Sequence, residues 1–105
     1  MGKCILAGHP AGCQIGYGTY TGDGRASRKI ELGVTPKWVL VVLDGANWNP
    51  NNQATAGLAV HGSPAICRKE PVVAIATNGF YVYYPSNYYS LTNCSGDKFN
   101  YIYGY

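Results

Sequence analysis

Six consecutive apolar residues, Trp38-Val-Leu-Val-Val-Leu43, constrain this chain more than any other feature. In an extended strand successive side chains point to opposite faces. Trp38, Leu40 and Val42 therefore face one way, and Val39, Val41 and Leu43 the other. A half-buried antiparallel strand alternates apolar with polar residues, and this run does not. Both of its faces need cover. A chain of 105 residues holds one modest core, which covers one face only. The simplest cover for the other face is the axis of an oligomer.

The remaining segments read as short strands and turns. Residues 17–20 form a short strand, and Thr21-Gly-Asp-Gly24 a turn in which Gly22 and Gly24 tolerate positive φ and Asp23 bonds its own backbone. Arg28-Lys-Ile-Glu-Leu32 alternates, with Ile30 and Leu32 inward and Lys29 and Glu31 outward. Residues 33–36 make a Pro-marked corner, 44–55 a long loop, 56–61 a weak strand and 62–71 another loop. Residues 72–77 and 80–84 flank Asn78-Gly79, a preferred hairpin dipeptide. A polar loop over 85–96 leads into a last strand over 98–103. No segment has a helical period, and ten Tyr with fourteen Gly favour strands and tight turns. The count predicts an all-β, six- or seven-stranded antiparallel sandwich over residues 17–105. Residues 1–16, with Gly8, Pro10, Gly12 and Gly16, read as an irregular lead-in or the stub of a longer chain.

Eight Lys and Arg against five Asp and Glu give a net charge of +3, scattered in pairs such as Arg28-Lys29 and Arg68-Lys69. That balance gives no reason to expect nucleic acid. The apolar runs are too short to cross a membrane, and no stretch has signal-peptide form. Four cysteines, Cys4, Cys13, Cys67 and Cys94, leave three readings open. They are thiols, or disulfides such as Cys4–Cys13 and Cys67–Cys94, or metal ligands with His9 and His61, though at no finger or ribbon spacing.

Chemistry-bearing candidates are few. No pair among Glu31, Glu70 and the three Asp has a spacing that places two carboxylates together. A Cys67–His61 nucleophile pair would have to span a loop. Neither supports catalysis, and no cofactor is expected. Asp23, Asp44 and Asp97 lack the pattern of a calcium loop, and Asp-Gly turns explain the first two. Binding has better candidates. Tyr84, Asn87, Tyr88 and Tyr89 sit in a loop rich in Tyr, Asn and Ser. Tyr there offers rigid amphipathic area and Asn adaptable hydrogen bonds, or one Tyr folds back onto the end of the sandwich. Trp48, within Asn47-Trp-Asn-Pro-Asn-Asn52, is either a contact platform or a plug over the core.

Four segments carry a resemblance when taken in order: Thr19-Tyr-Thr-Gly-Asp-Gly24, Ile30-Glu-Leu-Gly-Val-Thr-Pro-Lys-Trp-Val-Leu-Val-Val42, Val73-Ala-Ile-Ala-Thr-Asn-Gly-Phe80, and Asn93-Cys-Ser-Gly96 leading into Tyr101-Ile102. Over residues 17 to 103 the chain resembles the receptor-binding domain at the tip of phage tail fibre or baseplate proteins. That domain is itself similar to the H-type lectins. The resemblance implies an H-type-lectin-like homotrimer on the virion tail, made in the host cytoplasm and following an upstream tail fibre or baseplate segment. It implies recognition of a bacterial surface carbohydrate or other envelope component, and in the lectins sugar binds between protomers without calcium. Two alternatives are a structural trimerising cap of the fibre and a free H-type-like lectin. In the lectins the loop after the "GF" strand supplies aromatic and polar contacts, here Tyr84, Asn87, Tyr88 and Tyr89. Their acidic residue near the first turn corresponds to Asp23, and their basic residue on the middle strand corresponds loosely to His61. Their Trp-His pair has no counterpart in this loop.

Overall fold

A computed structural model describes residues 14–45 and 54–105. Among these the chain is all β, with two four-stranded antiparallel sheets and no helix. The strands are β1 (Ile15–Thr21), β2 (Ser27–Glu31), β3 (Trp38–Leu43), β4 (Ala56–Val60), β5 (Ala65–Cys67), β6 (Glu70–Ala76), β7 (Gly79–Tyr83) and β8 (Lys98–Gly104). One sheet runs β1-β8-β3-β4 and the other β2-β7-β6-β5. They pack face to face as a sandwich.

Among the described residues eight strands replace the expected six or seven. The addition is β5, inside the segment read as a loop over 62–71. It is three residues long, and the turn that pairs it with β6 is Arg68-Lys69, which carries no Gly or Asn signal. The first strand starts at Ile15, before the expected position 17. Ile15 and Gly16 pair with Gly104 and Tyr103, and Gln14 exchanges backbone hydrogen bonds with Tyr105. The β6–β7 hairpin is offset by one residue from the Asn-Gly reading. Ala76 pairs with Gly79, so Thr77 and Asn78 form the turn, and Asn78 alone takes positive φ, at 62°. Gly79 serves a different need. A Cβ there would lie 2.1 Å from the Ile30 carbonyl oxygen, because β2 crosses that close.

The core follows from strand alternation. Val39 and Val41 of β3 are fully buried against Val73, Phe80, Val82 and Phe99. Each such side chain contributes roughly 1.5–3 kcal/mol of burial. Tyr20 stacks on Phe99 with ring centroids 5.1 Å apart, and Phe80 meets Tyr101 edge-on at 5.2 Å. Val72 and Val73 are both buried because the β5–β6 register shifts between Ala65 and Ile66, a bulge that turns two neighbours toward the core.

The other face of β3 is open. Tyr17, Ile102, Leu40 and Leu58 align across the four strands in one row, at 84, 37, 36 and 57 % exposure. Ile15, Trp38 and Val60 flank the row on one side and Val42 on the other. The two-faced strand expected from the sequence therefore buries one face in the core and presents the other as part of a contiguous apolar surface.

Connections alternate between the two ends of the sandwich. Among the described residues, 22–26, 44–45, 54–55, 68–69 and 84–97 lie at one end, and 32–37, 61–64 and 77–78 at the other. Gln14 and Tyr105 lie at the second end. The 84–97 loop thus lies at the end opposite Gln14 and Tyr105.

Candidate functional site

Three polar residues, Ser90, Thr92 and Asn93, are fully buried within an otherwise apolar interior. A buried polar side chain is tolerated only when hydrogen-bonded, and each of these holds the 84–97 loop to the sandwich. The Thr92 hydroxyl donates to the Val72 carbonyl at the bulge, 2.8 Å, and accepts from the Tyr83 amide, 3.0 Å. The Thr92 carbonyl accepts from the Tyr20 hydroxyl. The Ser90 hydroxyl donates to the Tyr83 carbonyl, 3.3 Å. Asn93 donates through Nδ2 to Asp23 Oδ1, 2.7 Å, and to the Arg25 carbonyl, 3.0 Å, and its Oδ1 accepts from the Asp23 amide, 3.2 Å. The 22–26 turn and the loop approach so closely that a Cβ on Gly22 would sit 2.0 Å from the Cys94 carbonyl oxygen.

Asp23, expected at a ligand site, is engaged in this arrangement. Its carboxylate accepts from the Arg25 amide and Asn93, and lies 3.5 Å from Arg25 Nε and 3.7 Å from Arg28 Nε. The Arg25 amide, then Asn93, holds its pKa below the ordinary value. Arg28 also donates to the Thr21 carbonyl at 2.6 Å and lies over the Tyr20 ring.

With its second half pinned, the loop offers its first half to solvent. Tyr88 is half exposed and sits in left-handed backbone, φ 60°. Its ring lies 5.4 Å from that of Tyr84. Asn87 Oδ1 accepts from the Tyr89 amide, 3.1 Å, and Asn87 Nδ2 donates to Glu70 Oε2, 2.9 Å. The Tyr89 ring lies 5.4 Å from the Arg68 guanidinium carbon, within cation–π range. The Tyr89 carbonyl accepts from the Ala54 amide, 2.9 Å. Tyr84, Asn87, Tyr88 and Tyr89 therefore belong to one surface, together with Arg68 and Glu70 of the β5–β6 hairpin. Beneath it, the Cys94 thiol contacts the Tyr84 hydroxyl and Asp97, and burial, then Asp97, pushes its pKa up.

One expected ligand residue falls elsewhere. His61 is exposed at the opposite end of the sandwich from Tyr88 and Asp23, where its amide donates to the Lys37 carbonyl, 3.1 Å. Trp48 lies outside the described residues, as do Cys4, Cys13 and His9. Cys67 and Cys94 are not joined by a disulfide. The length of β5 separates Cys67 from His61. Glu31 and Glu70 stand at opposite ends of the sandwich. Among the described residues no three His, Cys, Asp or Glu gather as metal ligands. The arrangement combines aromatic faces, an amide and a guanidinium, groups suited to holding a ligand.

Reading the sequence as strands and loops missed Asn93, Thr92 and Arg68. Asn93 and Thr92 looked like ordinary polar loop residues, and their partners lie up to 72 positions away. Arg68 lay in a stretch with no strand signal.

No protein-family model matches the chain, and no curated protein or solved structure matches it.

Proposed function

We propose that this domain is an adhesion module of a phage tail or phage-like particle, recognising a bacterial surface glycan or other envelope component. The observation that carries the reading is the placement of Tyr84 and Tyr88, the latter half exposed, on a pinned loop at the end opposite both Gln14 and Tyr105. A domain tethered at one end presents such a loop outward. The apolar face of a sugar ring lies well on a tyrosine ring, and amides beside it bond hydroxyls. Because the second half of the loop is fixed by buried bonds, little ordering is left to oppose binding.

The reading includes a homotrimer. A row of exposed Tyr17, Ile102, Leu40 and Leu58 supports self-association, since contiguous apolar patches mark interaction surfaces. Three weak sites on one fibre then act together through effective concentration.

The test is a screen of the purified chain against glycans and envelope fractions, with mass by light scattering on the same sample. Binding by a trimer, lost in Tyr88→Ala, is the expected result. The same apolar face favours a second reading, a trimerising cap that only terminates a fibre. A trimer that binds no glycan or envelope fraction supports the cap, and a stable monomer removes the cap and the homotrimer.

A further inference from the structure

Among the described residues the loop end of the sandwich carries three cations that no carboxylate answers, Lys98 at the start of β8 and the adjacent pair Arg68 and Lys69 in the β5–β6 turn. Asp23 is engaged by Arg25 and Arg28, and Glu70 accepts from Asn87. A further ion pair, Lys29–Glu31, is on β2. Among the described residues Arg68 and Lys69 have no ion-pair partner.

Their backbone adds a second observation. Arg68 and Lys69 form the two-residue β5–β6 turn, with φ of 50° and 72°. A hairpin turn of this hand requires positive φ at both positions and is ordinarily met by Asn-Gly or Gly-Gly. Long side chains there strain the backbone, and such strain gathers at ligand-binding sites. This turn is also part of the tyrosine surface. Arg68 lies over the Tyr89 ring, and Glu70, the next residue but one, bonds Asn87.

We infer that the ligand of this surface is an acidic saccharide, its anionic group paired with Arg68 and Lys69 while a sugar ring rests against Tyr88. The inference rests on the adhesion reading and specifies the ligand class. Arg68 is placed for it: its guanidinium lies over the Tyr89 ring, and a guanidinium offers paired donors to the oxygens of a carboxylate or phosphate. Both sources of charge are open to such a site, a uronate carboxylate or the phosphodiester of a polyol phosphate.

The experiment measures binding of the intact chain to polygalacturonate, poly(glycerol phosphate), neutral dextran and polyglutamate, the last a polyanion without sugar. The two acidic saccharides separate carboxylate from phosphate recognition, and tight binding of either one, above dextran and polyglutamate, supports the inference. R68Q/K69Q should weaken that binding by about tenfold or more. K29Q/K37Q removes as much charge elsewhere and should change it by less than about twofold. R68N/K69G installs the favoured turn. It should melt at a higher temperature than the parent and still lose binding, whereas a purely structural turn would leave binding intact. Retained binding in R68Q/K69Q or R68N/K69G overturns the inference, as does equal binding of polyglutamate. Binding of dextran alone, lost in Tyr88→Ala, overturns the acidic ligand and leaves adhesion standing. No binding to any saccharide overturns the acidic ligand, and with no envelope fraction bound either, adhesion falls too.

Discussion

Asn93 makes four side-chain hydrogen bonds, with Asp23, Arg25 and Arg28, across separations of 65 to 70 residues, and none of its partners is near it in the chain. Asn93→Ala leaves the Asp23 amide and the Arg25 carbonyl without their partner. It should lower unfolding free energy by about 2–3 kcal/mol in chemical denaturation. Asp23, at the other end of these bonds, carries a pH signature. Its pKa in the folded chain is below the ordinary 3.8, first because the Arg25 amide donates to it and then because Asn93 does. As pH falls, the unfolded chain therefore takes up this proton first. The stability this carboxylate contributes is complete above about pH 4 and is lost as pH drops through the depressed value. Asp23→Asn should flatten that acid limb in unfolding curves taken from neutral pH downward, and an unchanged limb would assign the acid sensitivity to other groups. At this scale the sequence was least legible. Asp23 could be read as a turn residue from Gly22 and Gly24 beside it, but a buried loop asparagine looks the same as a solvated one until the fold closes over it.

Among the elements, the hairpins separate what local chemistry dictates from what packing dictates. The strand alternation of 28–32 and the hairpin at 77–78 were readable because period and turn residues are local signals. The one-residue offset of that hairpin was not. Asn-Gly is favoured for positive φ, yet Gly79 lacks it and is needed because β2 passes within contact of its α-carbon. Gly79→Ala should cost about 2 kcal/mol or more, because its methyl would meet the backbone of Ile30 rather than a side chain that could move aside. A melting temperature close to that of the parent would mean that β2 can shift outward. Strand β5 was illegible for a related reason. Three residues are too short for a pattern, and its turn is made from Arg68 and Lys69, whose presence there turn preference does not explain and the proposed ligand would.

For the molecule as a whole, the two apolar faces of β3 were plain in the sequence, and the sandwich covers only one of them. Leu40→Lys with Leu58→Lys places two charges in the middle of the open face, where each side chain already meets solvent. The pair should convert an oligomer to a monomer by light scattering while changing monomer stability by less than about 1 kcal/mol, as exposed positions do. An unchanged mass would locate self-association elsewhere. The alternation of connections has a mechanical consequence. If the module is held near Gln14 and gripped by its ligand at Tyr88, tension runs lengthwise along β1 and its partner β8, across bonds that lie perpendicular to the strands. All seven register pairs of that ladder then share the load in shear instead of parting one at a time, so the same topology that lifts the tyrosines away from the tether also resists the pull they transmit.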